Sequence, residues 1–523
     1  MRYGLVVGSA LALILTQGRA ALAQGGTAQT PPQNPPPAMP APAIMPSPTH
    51  APGVSGPPVS SGDVYTTPEQ PTPYAPPDIT VPPQPQPNLF APTTQTSDGY
   101  LRTQAYGNNL LPITPTIGEK NDYLCQGVCP TSYSTTLLGV LGRKRPDYEA
   151  KGLPLGGFRL FPTLDLAVAG TDNVYYTPSP SQSDAYFTIA PRLDLQSQWS
   201  QNALELFGGL QEKKFTSLSS EDQTDWGTGG AGRLDILRGV DLYLKTDYEA
   251  QHEPRYSPDS PGRAAAPTPF QTETLNLRGD YQVAGLGLQL GGTYQDYDYD
   301  STSLIDAAPL SNDDRNRNNY TGFGKASYQL SPDYSLYVQG SYEDRAYDLH
   351  VDRYGFDRNS TGYILNAGSK FTLSNLIDGD VFAGYEQELY HGLLPNVGGL
   401  DFGGDIHWYA TELITVNLIA SHDIVDTVLR GESASNNQTV TLDVDYELLR
   451  NLILQAAFTY VNSRYVGVDP FTLDTKTVDF GASYLINHYL SANVHYSFNG
   501  RTATVPSDIY NNNVLSIGLT GQL

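Results

Sequence analysis

The segment Val440–Leu448 shows the pattern that dominates the second part of the chain, in which apolar and polar residues alternate one by one. The even positions are apolar, and the odd positions are Thr441, Asp443, Asp445 and Glu447. A period of two places these two sets on opposite faces of a β-strand. The segment therefore predicts a strand with one apolar and one mainly acidic face.

The same alternation recurs from Gly157 to Leu523 and predicts an all-β fold of about 18 strands. The predicted strands are centred near Leu164, Leu193, Leu206, Gly232, Leu244, Leu277, Leu290, Gly324, Val338, Leu365, Ala383, Asp405, Leu418, Val444, Ala456, Phe480, Val494 and Ile517. Nine longer connections alternate with eight short ones. A β-sandwich has no reason to alternate in this way, whereas a bacterial outer-membrane barrel has short periplasmic turns and longer external loops. The pattern predicts a transmembrane antiparallel up-and-down β-barrel with both termini in the periplasm.

The two faces of the predicted strands have different environments. A charged side chain that faces lipid at the middle of the bilayer costs about 2–4 kcal/mol, so the charged face is expected to point into the lumen. The charges either orient polar solutes by a transverse field or merely keep the lumen hydrated. The candidate lumen-facing residues are Arg159, Arg192, Arg233, Lys245, Asp247, Arg278, Lys325, Glu343, Arg345, Lys370, Asp443, Asp445, Glu447 and Asp479.

The chain ahead of the barrel divides into three parts. Residues 1–23 combine Arg2, a short apolar core and an A-x-A site, which is typical of a secretory signal peptide. Residues 24–99 are rich in proline and lack periodicity, which predicts a disordered segment that serves as a spacer or as a docking arm. Residues 100–156 form a short periplasmic segment, and residues 157–523 the outer-membrane β-barrel. An exported chain reaches an oxidising compartment, so Cys125 and Cys129 are candidates for a disulfide.

Composition and motif content restrict the function. The formal net charge of −24 excludes a generic nucleic-acid binder, which needs a basic face. A hydrolase needs a nucleophile, a base and an orienting group. His407, His422 and His495 lie on predicted strands. No serine or aspartate is placed relative to them in the sequence in a way that indicates a catalytic group. We therefore expect no enzyme, no catalytic residue, no metal site and no cofactor.

Several motifs spread along Arg143–Leu523 resemble the Putative beta-barrel porin 2 family of bacterial outer-membrane proteins. They are R-P-D-Y-E-A-K-G-L-P-L-G-G-F-R-L-F-P-T-L (Arg145–Leu164), T-D-N-V (Thr171–Val174), S-S-E-D-Q-T-D-W (Ser219–Trp226), G-R-L-D-I (Gly232–Ile236), N-D-D-R-N-R (Asn312–Arg317), Y-G-F-D-R-N-S-T-G-Y (Tyr354–Tyr363) and Y-E-L-L-R-N-L (Tyr446–Leu452). The resemblance implies an outer-membrane barrel of a Gram-negative cell, and some members of the family are associated with polysaccharide export.

Two functions remain open from the sequence. One is a porin-like channel for hydrophilic solutes, and the other is an accessory barrel in exopolysaccharide export or secretion, in which Tyr243 and Tyr337 would stack on sugars. The expected partners are outer-membrane lipid and lipopolysaccharide, the barrel-assembly machinery and a periplasmic or polysaccharide-export protein, with no nucleic acid.

Overall fold

The computed structural model describes residues 139–374 and 376–523, which form β-strands almost throughout. The predicted signal peptide, the proline-rich segment and the cysteines Cys125 and Cys129 lie outside the described residues. The strands are β1 (Leu153–Leu155), β2 (Phe158–Thr171), β3 (Asp184–Ser197), β4 (Ala203–Phe215), β5 (Gln223–Leu237), β6 (Val240–His252), β7 (Pro269–Val283), β8 (Leu286–Tyr299), β9 (Arg317–Ser331), β10 (Tyr334–Tyr347), β11 (Ser360–Leu373), β12 (Ile377–Tyr390), β13 (Val397–Thr411), β14 (Ile414–Asp426), β15 (Glu432–Leu449), β16 (Leu452–Gly467), β17 (Thr472–Asn487), β18 (Leu490–Ala503) and β19 (Tyr510–Gln522).

Strands β2–β19 form one closed antiparallel barrel. Each strand pairs with the next along the chain, and β19 returns to pair with β2, from Val514↔Thr171 to Gln522↔Thr163. The short strand β1 pairs with the beginning of β2. The prediction of an 18-stranded up-and-down barrel is confirmed, and each predicted strand centre lies in a different barrel strand.

The barrel strands have one face of exposed apolar side chains, which we call the apolar face, and one of polar and charged side chains, the polar face. On β2, for example, Leu164, Leu166 and Val168 are exposed, and Asp165 lies on the other face. The strands contain 13 to 18 residues, which exceeds the roughly 9–11 residues that cross a bilayer. Strands of this length are therefore long enough to cross a bilayer.

The two ends of the barrel differ in their connections, and we call them the short-turn end and the long-loop end. The turn between β5 and β6 consists of Arg238 and Gly239, and Gly239 has a φ of +76°. A Cβ atom there would lie 2.3 Å from the carbonyl oxygen of Gln282, so this tight turn requires glycine. At the other end, the connections reach the length of residues 253–268, between β6 and β7.

Short 3₁₀ turns occur only within long connections of the described chain, at Ser219–Glu221, Asp313–Arg315 and Pro506–Asp508. In the same residues, no helix has the length and apolar character needed to cross a membrane. The buried apolar clusters also lie at the long-loop end. The largest contains Tyr390, Leu394, Val397, Ile424 and Ala434.

Residues 139–156 contact the barrel although the sequence shows no alternation ahead of Gly157. Val140 is 0% exposed, and its amide donates to Thr415 Oγ1 at 2.9 Å, near the beginning of β14. The amide of Gly152 donates to the carbonyl oxygen of Leu523 at 3.1 Å. This segment therefore packs against the short-turn end, which its lack of periodicity did not predict.

Candidate functional site

The strand β15 shows how the charged residues are placed. Asp443 and Asp445 are 2% and 1% exposed, whereas Leu442 between Thr441 and Asp443 is 42% exposed. Because alternate side chains of a strand point to opposite faces, the carboxylates share the polar face of the barrel. Whether this face lines a water-filled lumen, as the sequence predicts for all fourteen candidates, stays a prediction.

Several of the predicted basic residues pair with a carboxylate two positions away on the same strand. Arg233 Nε contacts Asp235 Oδ1 at 2.7 Å, and Lys245 Nζ contacts Asp247 Oδ1 at 3.3 Å. Arg278 forms the same pair with its i+2 carboxylate. A separation of two residues keeps both side chains on one face. Each of these three cations is thus balanced by a neighbouring carboxylate on its own strand.

Two of the predicted basic residues, Arg278 and Lys325, also lie over tyrosine rings. The Arg278 guanidinium lies 4.2 Å from the centroid of the Tyr243 ring, and Lys325 Nζ lies 3.9 Å from that of Tyr337. The Tyr337 hydroxyl donates to Asp380 Oδ1 at 2.5 Å. A cation over the face of an aromatic ring is attracted by its quadrupole. A sugar that stacked on the covered ring face would have to displace the cation.

The remaining candidates on the first half of the barrel have individual partners. Arg159 donates to the carbonyl oxygen of Lys151, Arg192 lies 3.8 Å from an Asp165 oxygen, and Lys370 is opposite Asp380 in the register. Each of these three basic residues therefore has a different partner.

Arg345 reaches across several strands to a distant carboxylate. Its Nε contacts Glu343 Oε1 at 2.9 Å on the same strand, and its Nη1 contacts Asp426 Oδ1 at 2.5 Å. Asp426 ends β14, and three strands separate it from β10 in the sheet order. In a closed barrel such a contact passes through the inside, so Arg345 lies on the inner wall near the long-loop end.

Asp443, Asp445 and Asp479 form an acidic group on β15 and β17. Gln455 Nε2 donates to Asp445 Oδ1 at 3.1 Å, and His495 Nε2 lies 3.3 Å from Asp479 Oδ1. A cavity of about 10 Å³ lies between these carboxylates, roughly the space that one water molecule requires. Asp443, Asp445 and Asp479 are therefore neighbours in the sheet, and their role as an acidic wall of the lumen stays a prediction.

Glu447, the fourth predicted carboxylate of the acidic wall, binds arginines from outside the barrel strands. Arg145 Nη2 donates to Glu447 Oε2 at 2.7 Å, and Arg143 Nη1 and Arg450 Nη1 lie 3.6 Å and 3.5 Å from its oxygens. Arg145 also donates to the carbonyl oxygen of Val140. Glu447 is thus the anchor of the segment that precedes the barrel.

The connection between β6 and β7, residues 253–268, is the feature of the long-loop end that sequence reasoning missed. We call it the crossing loop. At its base, Glu253 accepts two hydrogen bonds from Arg315, at 3.0 Å and 2.7 Å, and both residues are buried. Arg255 donates to both oxygens of Glu221. Bidentate pairs of this kind fix orientation as well as distance, so the base of the loop is held to its two neighbouring connections.

The tip of the crossing loop reaches the far side of the barrel. Asp259 Oδ1 accepts hydrogen bonds from Thr427 Oγ1 at 2.7 Å and from the amide of Val428 at 3.0 Å. These residues follow β14, and six strands, β8–β13, separate β14 from β7. The loop therefore spans the opening of the barrel.

Aromatic contacts hold the middle of the crossing loop. The Tyr176 ring packs edge-on against Tyr256 at 5.2 Å and against Tyr510 at 5.1 Å. Arg501 donates to the Tyr510 hydroxyl at 2.8 Å, and its Nη atoms lie 3.5 Å from the carbonyl oxygen of Tyr256. The loop is thus fixed on a second side of the opening, against β18 and β19.

Two carboxylates of the loops have shifted pKa values. Burial, together with the nearby Glu253 carboxylate, raises the pKa of Asp259 against the opposing effect of Arg315. Burial would also raise the pKa of Asp314, but hydrogen bonds from the side chain and the amide of Arg353 outweigh it and lower this pKa. The two groups will therefore respond to acid in opposite ways.

Known structures with a similar barrel include two Occ proteins and a siderophore receptor. OccK2 (OpdF) of Pseudomonas aeruginosa in complex with glucuronate has a TM-score of 0.41 and 12% identity, over 71% of this chain and 99% of that chain. OccAB3 of Acinetobacter baumannii has a TM-score of 0.41 and 13% identity, over 71% and 100%. A mutant of the ferric enterobactin receptor PfeA of P. aeruginosa has a TM-score of 0.40 and 8% identity, over 69% and 80%. The comparison with curated proteins found no match.

The family comparison agrees with the motifs noted in the sequence. The sequence profile described as Putative beta-barrel porin 2 matches residues 145–523, which include every barrel strand. The chain therefore belongs to the Putative beta-barrel porin 2 family of outer-membrane β-barrels.

Proposed function

We propose that this outer-membrane β-barrel is a passive diffusion channel for small hydrophilic solutes. In this proposal the polar face lines a water-filled lumen, and the long-loop end faces outward. The short turns and both termini then lie in the periplasm, as in bacterial barrels of this type. Membership of a porin family supports a role in transport.

The observation that carries the proposal is the number of charged side chains on the polar face of a closed sheet. These include the pairs on β5–β7, Arg345 on β10 and the three aspartates on β15 and β17. Removing charged groups from water costs several kcal/mol per ion unless pairing and hydration compensate. A water-filled lumen supplies that hydration, and a barrel of this size is wide enough to contain one.

The crossing loop and the acidic group give the proposed channel two distinct zones. The loop narrows the entrance at the long-loop end, because it is held on both sides of the opening. Asp443, Asp445 and Asp479 place negative charge on one wall of the path, and rings or walls of carboxylates favour cations. The channel is therefore expected to prefer cations weakly over anions.

The experiment is a planar-bilayer recording of the purified full-length protein and of a variant in which residues 254–267 are replaced by Asn-Gly. Heat-modifiable migration in a detergent gel first shows that both are folded. We expect ion conductance from both, and a severalfold larger value from the shortened variant. If both are folded and neither conducts, the channel proposal is wrong.

The selectivity is tested separately with the double variant Asp443→Asn/Asp445→Asn. The reversal potential in a salt gradient should move toward the non-selective value, because the acidic group loses two charges. The matched control is Asp333→Asn, which removes a carboxylate from an exposed turn at the short-turn end. An equal shift in the control would show that selectivity does not arise at the acidic group. A role in exopolysaccharide export stays a prediction from the family resemblance.

A further inference from the structure

Three side chains from neighbouring strands converge toward the long-loop end of the barrel. Glu386 lies on β12, Asp401 on β13 and His422 on β14. One nitrogen or oxygen atom from each lies within 4.8 Å of the other two. Between His422 Nδ1 and Glu386 Oε2 the distance is 3.7 Å. We call these residues the three-strand cluster.

The register of the sheet brings the two carboxylates together. Asp401 pairs with Gly384, and Glu386 pairs with Gly399, so both carboxylates share one face of β12 and β13. A Cβ atom at Gly399 would meet no atom within 4 Å, which leaves space beside Glu386. A Cβ atom at Gly384 would collide with Asn366, so the absence of a side chain there leaves room for the Asn366 amide beside Asp401.

His422 lies just beyond the end of the pairing between β13 and β14. The paired register between β13 and β14 runs to Gly403↔Ser421, and His422 is the next residue of β14. Its ring stacks on that of Phe402, with 5.7 Å between the centroids. His422 is thus located where direct pairing with β13 has ended, close to the carboxylates of β12 and β13.

Each member of the three-strand cluster has a buried polar atom without a hydrogen-bond partner, namely Glu386 Oε2, Asp401 Oδ1 and His422 Nδ1. Asp401 is 1% and His422 is 3% exposed. A buried acceptor without a partner costs about 1–3 kcal/mol, and more when it is charged. Three such atoms in one place are satisfied together by a single cation among them.

The second polar atoms of Asp401 and His422 are already occupied, which fixes the orientation of the unpaired atoms of these two residues. Asn366 Nδ2 donates to Asp401 Oδ2 at 2.6 Å, and His422 Nε2 lies 2.7 Å from Asn436 Oδ1. Because an amide oxygen only accepts, His422 carries its proton on Nε2 and presents the lone pair of Nδ1 to the carboxylates. Partners of this kind orient the ligands of metal sites.

We infer that Glu386, Asp401 and His422 bind one divalent transition-metal ion, for which Zn²⁺ is the appropriate probe. One imidazole nitrogen and two carboxylate oxygens suit Zn²⁺, whereas Ca²⁺ takes six to eight oxygen ligands. Donors in a tetrahedral zinc site are about 3.4 Å apart, given metal–ligand distances near 2.0–2.1 Å, so the cluster needs only small side-chain movements. The ion would link β12, β13 and β14 beyond the end of the β13–β14 ladder, and this holds whether or not the barrel conducts.

The test uses tag-free full-length protein with Cys125→Ser and Cys129→Ser, stripped with EDTA, folded in detergent and titrated with Zn²⁺ by calorimetry. We expect one ion per chain. Asp401→Asn and His422→Asn should each weaken binding by at least about a hundredfold, and Asn436→Ala by about 10–100-fold, as for residues that orient a metal ligand. The control is His350→Asn, whose side chain is 86% exposed, and it should bind as the parent does.

A folded parent that binds no Zn²⁺ would overturn the inference, and so would folded Asp401→Asn and His422→Asn variants that bind as tightly as the parent. If these variants do not fold, X-ray absorption spectroscopy of the zinc-loaded parent identifies the atoms that bind the ion and tests the assignment. We expect one imidazole nitrogen and carboxylate oxygens around the ion. A shell with two or more imidazoles, or with none, would contradict the assignment.

Discussion

The two ends of the barrel are both partly covered, but by different kinds of structure. At the long-loop end, the crossing loop belongs to the barrel sequence and is held at its base, middle and tip by Glu253, Tyr256 and Asp259. At the short-turn end, the cover is residues 139–152, which precede the barrel and are anchored mainly through Arg145 and Glu447. The first cover is held by ion pairs and aromatic contacts at three points. The second has one buried ion pair, Arg145–Glu447, and single hydrogen bonds such as those of Val140 and Gly152.

This difference indicates which cover is the more permanent. The Glu253–Arg315 pair at the base of the crossing loop is buried, so separating its members leaves an uncompensated charge. Glu447 is also buried, but Arg143 and Arg450 lie near it in addition to Arg145. Loss of one arginine therefore leaves Glu447 with other cations. We expect the segment at the short-turn end to open more readily than the loop at the other end.

The largest effect is expected from Arg315→Met, which leaves Glu253 buried without its cation. Breaking a buried pair by removing one partner costs about 3–5 kcal/mol, so the crossing loop should detach from its base. Hydrogen exchange of residues 253–268 should accelerate strongly, and the bilayer conductance should rise.

Two controls separate this effect from a general loss of stability. The double variant Glu253→Gln/Arg315→Met removes both charges of the pair and should exchange less rapidly than Arg315→Met alone. Arg263→Met removes an exposed arginine of the same loop that donates to the carbonyl oxygen of Ile305, and it should change little. Equal exchange in Arg315→Met and Arg263→Met would show that the base pair does not hold the loop.

A smaller effect is expected from Arg145→Met at the short-turn end. The variant removes a buried hydrogen bond to Glu447 and another to the carbonyl oxygen of Val140, which together are worth about 1–3 kcal/mol. Limited proteolysis should therefore cut within residues 139–152 more rapidly, while the barrel remains intact. Lys144→Met is the matched control, because Lys144 is exposed. Unchanged cleavage of Arg145→Met would mean that the Arg145–Glu447 pair does not anchor this segment.

The smallest effect is a pH dependence of the loop tip. The raised pKa of Asp259 means that the docked loop binds its proton more tightly than a detached loop does. Docking therefore gains stability as the pH falls toward this pKa, and loses it as the pH rises. Hydrogen exchange at residues 256–262, corrected for its intrinsic pH dependence, should slow on mild acidification.

Two aspartate variants test the source of the pH effect, and stronger acid has an opposing effect through Asp314. Asp259→Asn should abolish the dependence, whereas Asp313→Asn, an exposed carboxylate of a neighbouring connection, should retain it. In stronger acid, protonation of Asp314 removes its contribution, because its lowered pKa stabilises the loops only above that pKa. A wild-type loop whose exchange is independent of pH would contradict the role given to Asp259.

The sequence predicts the barrel well because the relevant signal is local. Alternation on β15 and the two-residue turn at Gly239 each depend on a few consecutive residues. The covers of the two ends could not be found in this way, because Asp259 meets Thr427 through a long connection without periodicity. The three-strand cluster was missed for a similar reason. His422 was noticed as a strand residue, but only the register of β12–β14 places it beside Glu386 and Asp401.

The central claim is that the crossing loop narrows a conducting barrel. Its most direct test releases the base of the loop with Arg315→Met and then reattaches the tip of the loop with a disulfide. Asp259→Cys and Thr427→Cys are introduced into Arg315→Met that also carries Cys125→Ser and Cys129→Ser. Asp259 Oδ1 and Thr427 Oγ1 are 2.7 Å apart, so cysteines at these two positions lie close to each other. We predict the low conductance of the wild type under oxidising conditions and a severalfold, reversible increase on reduction. Equal conductance in the two states, with the disulfide shown by mass spectrometry, would contradict the account.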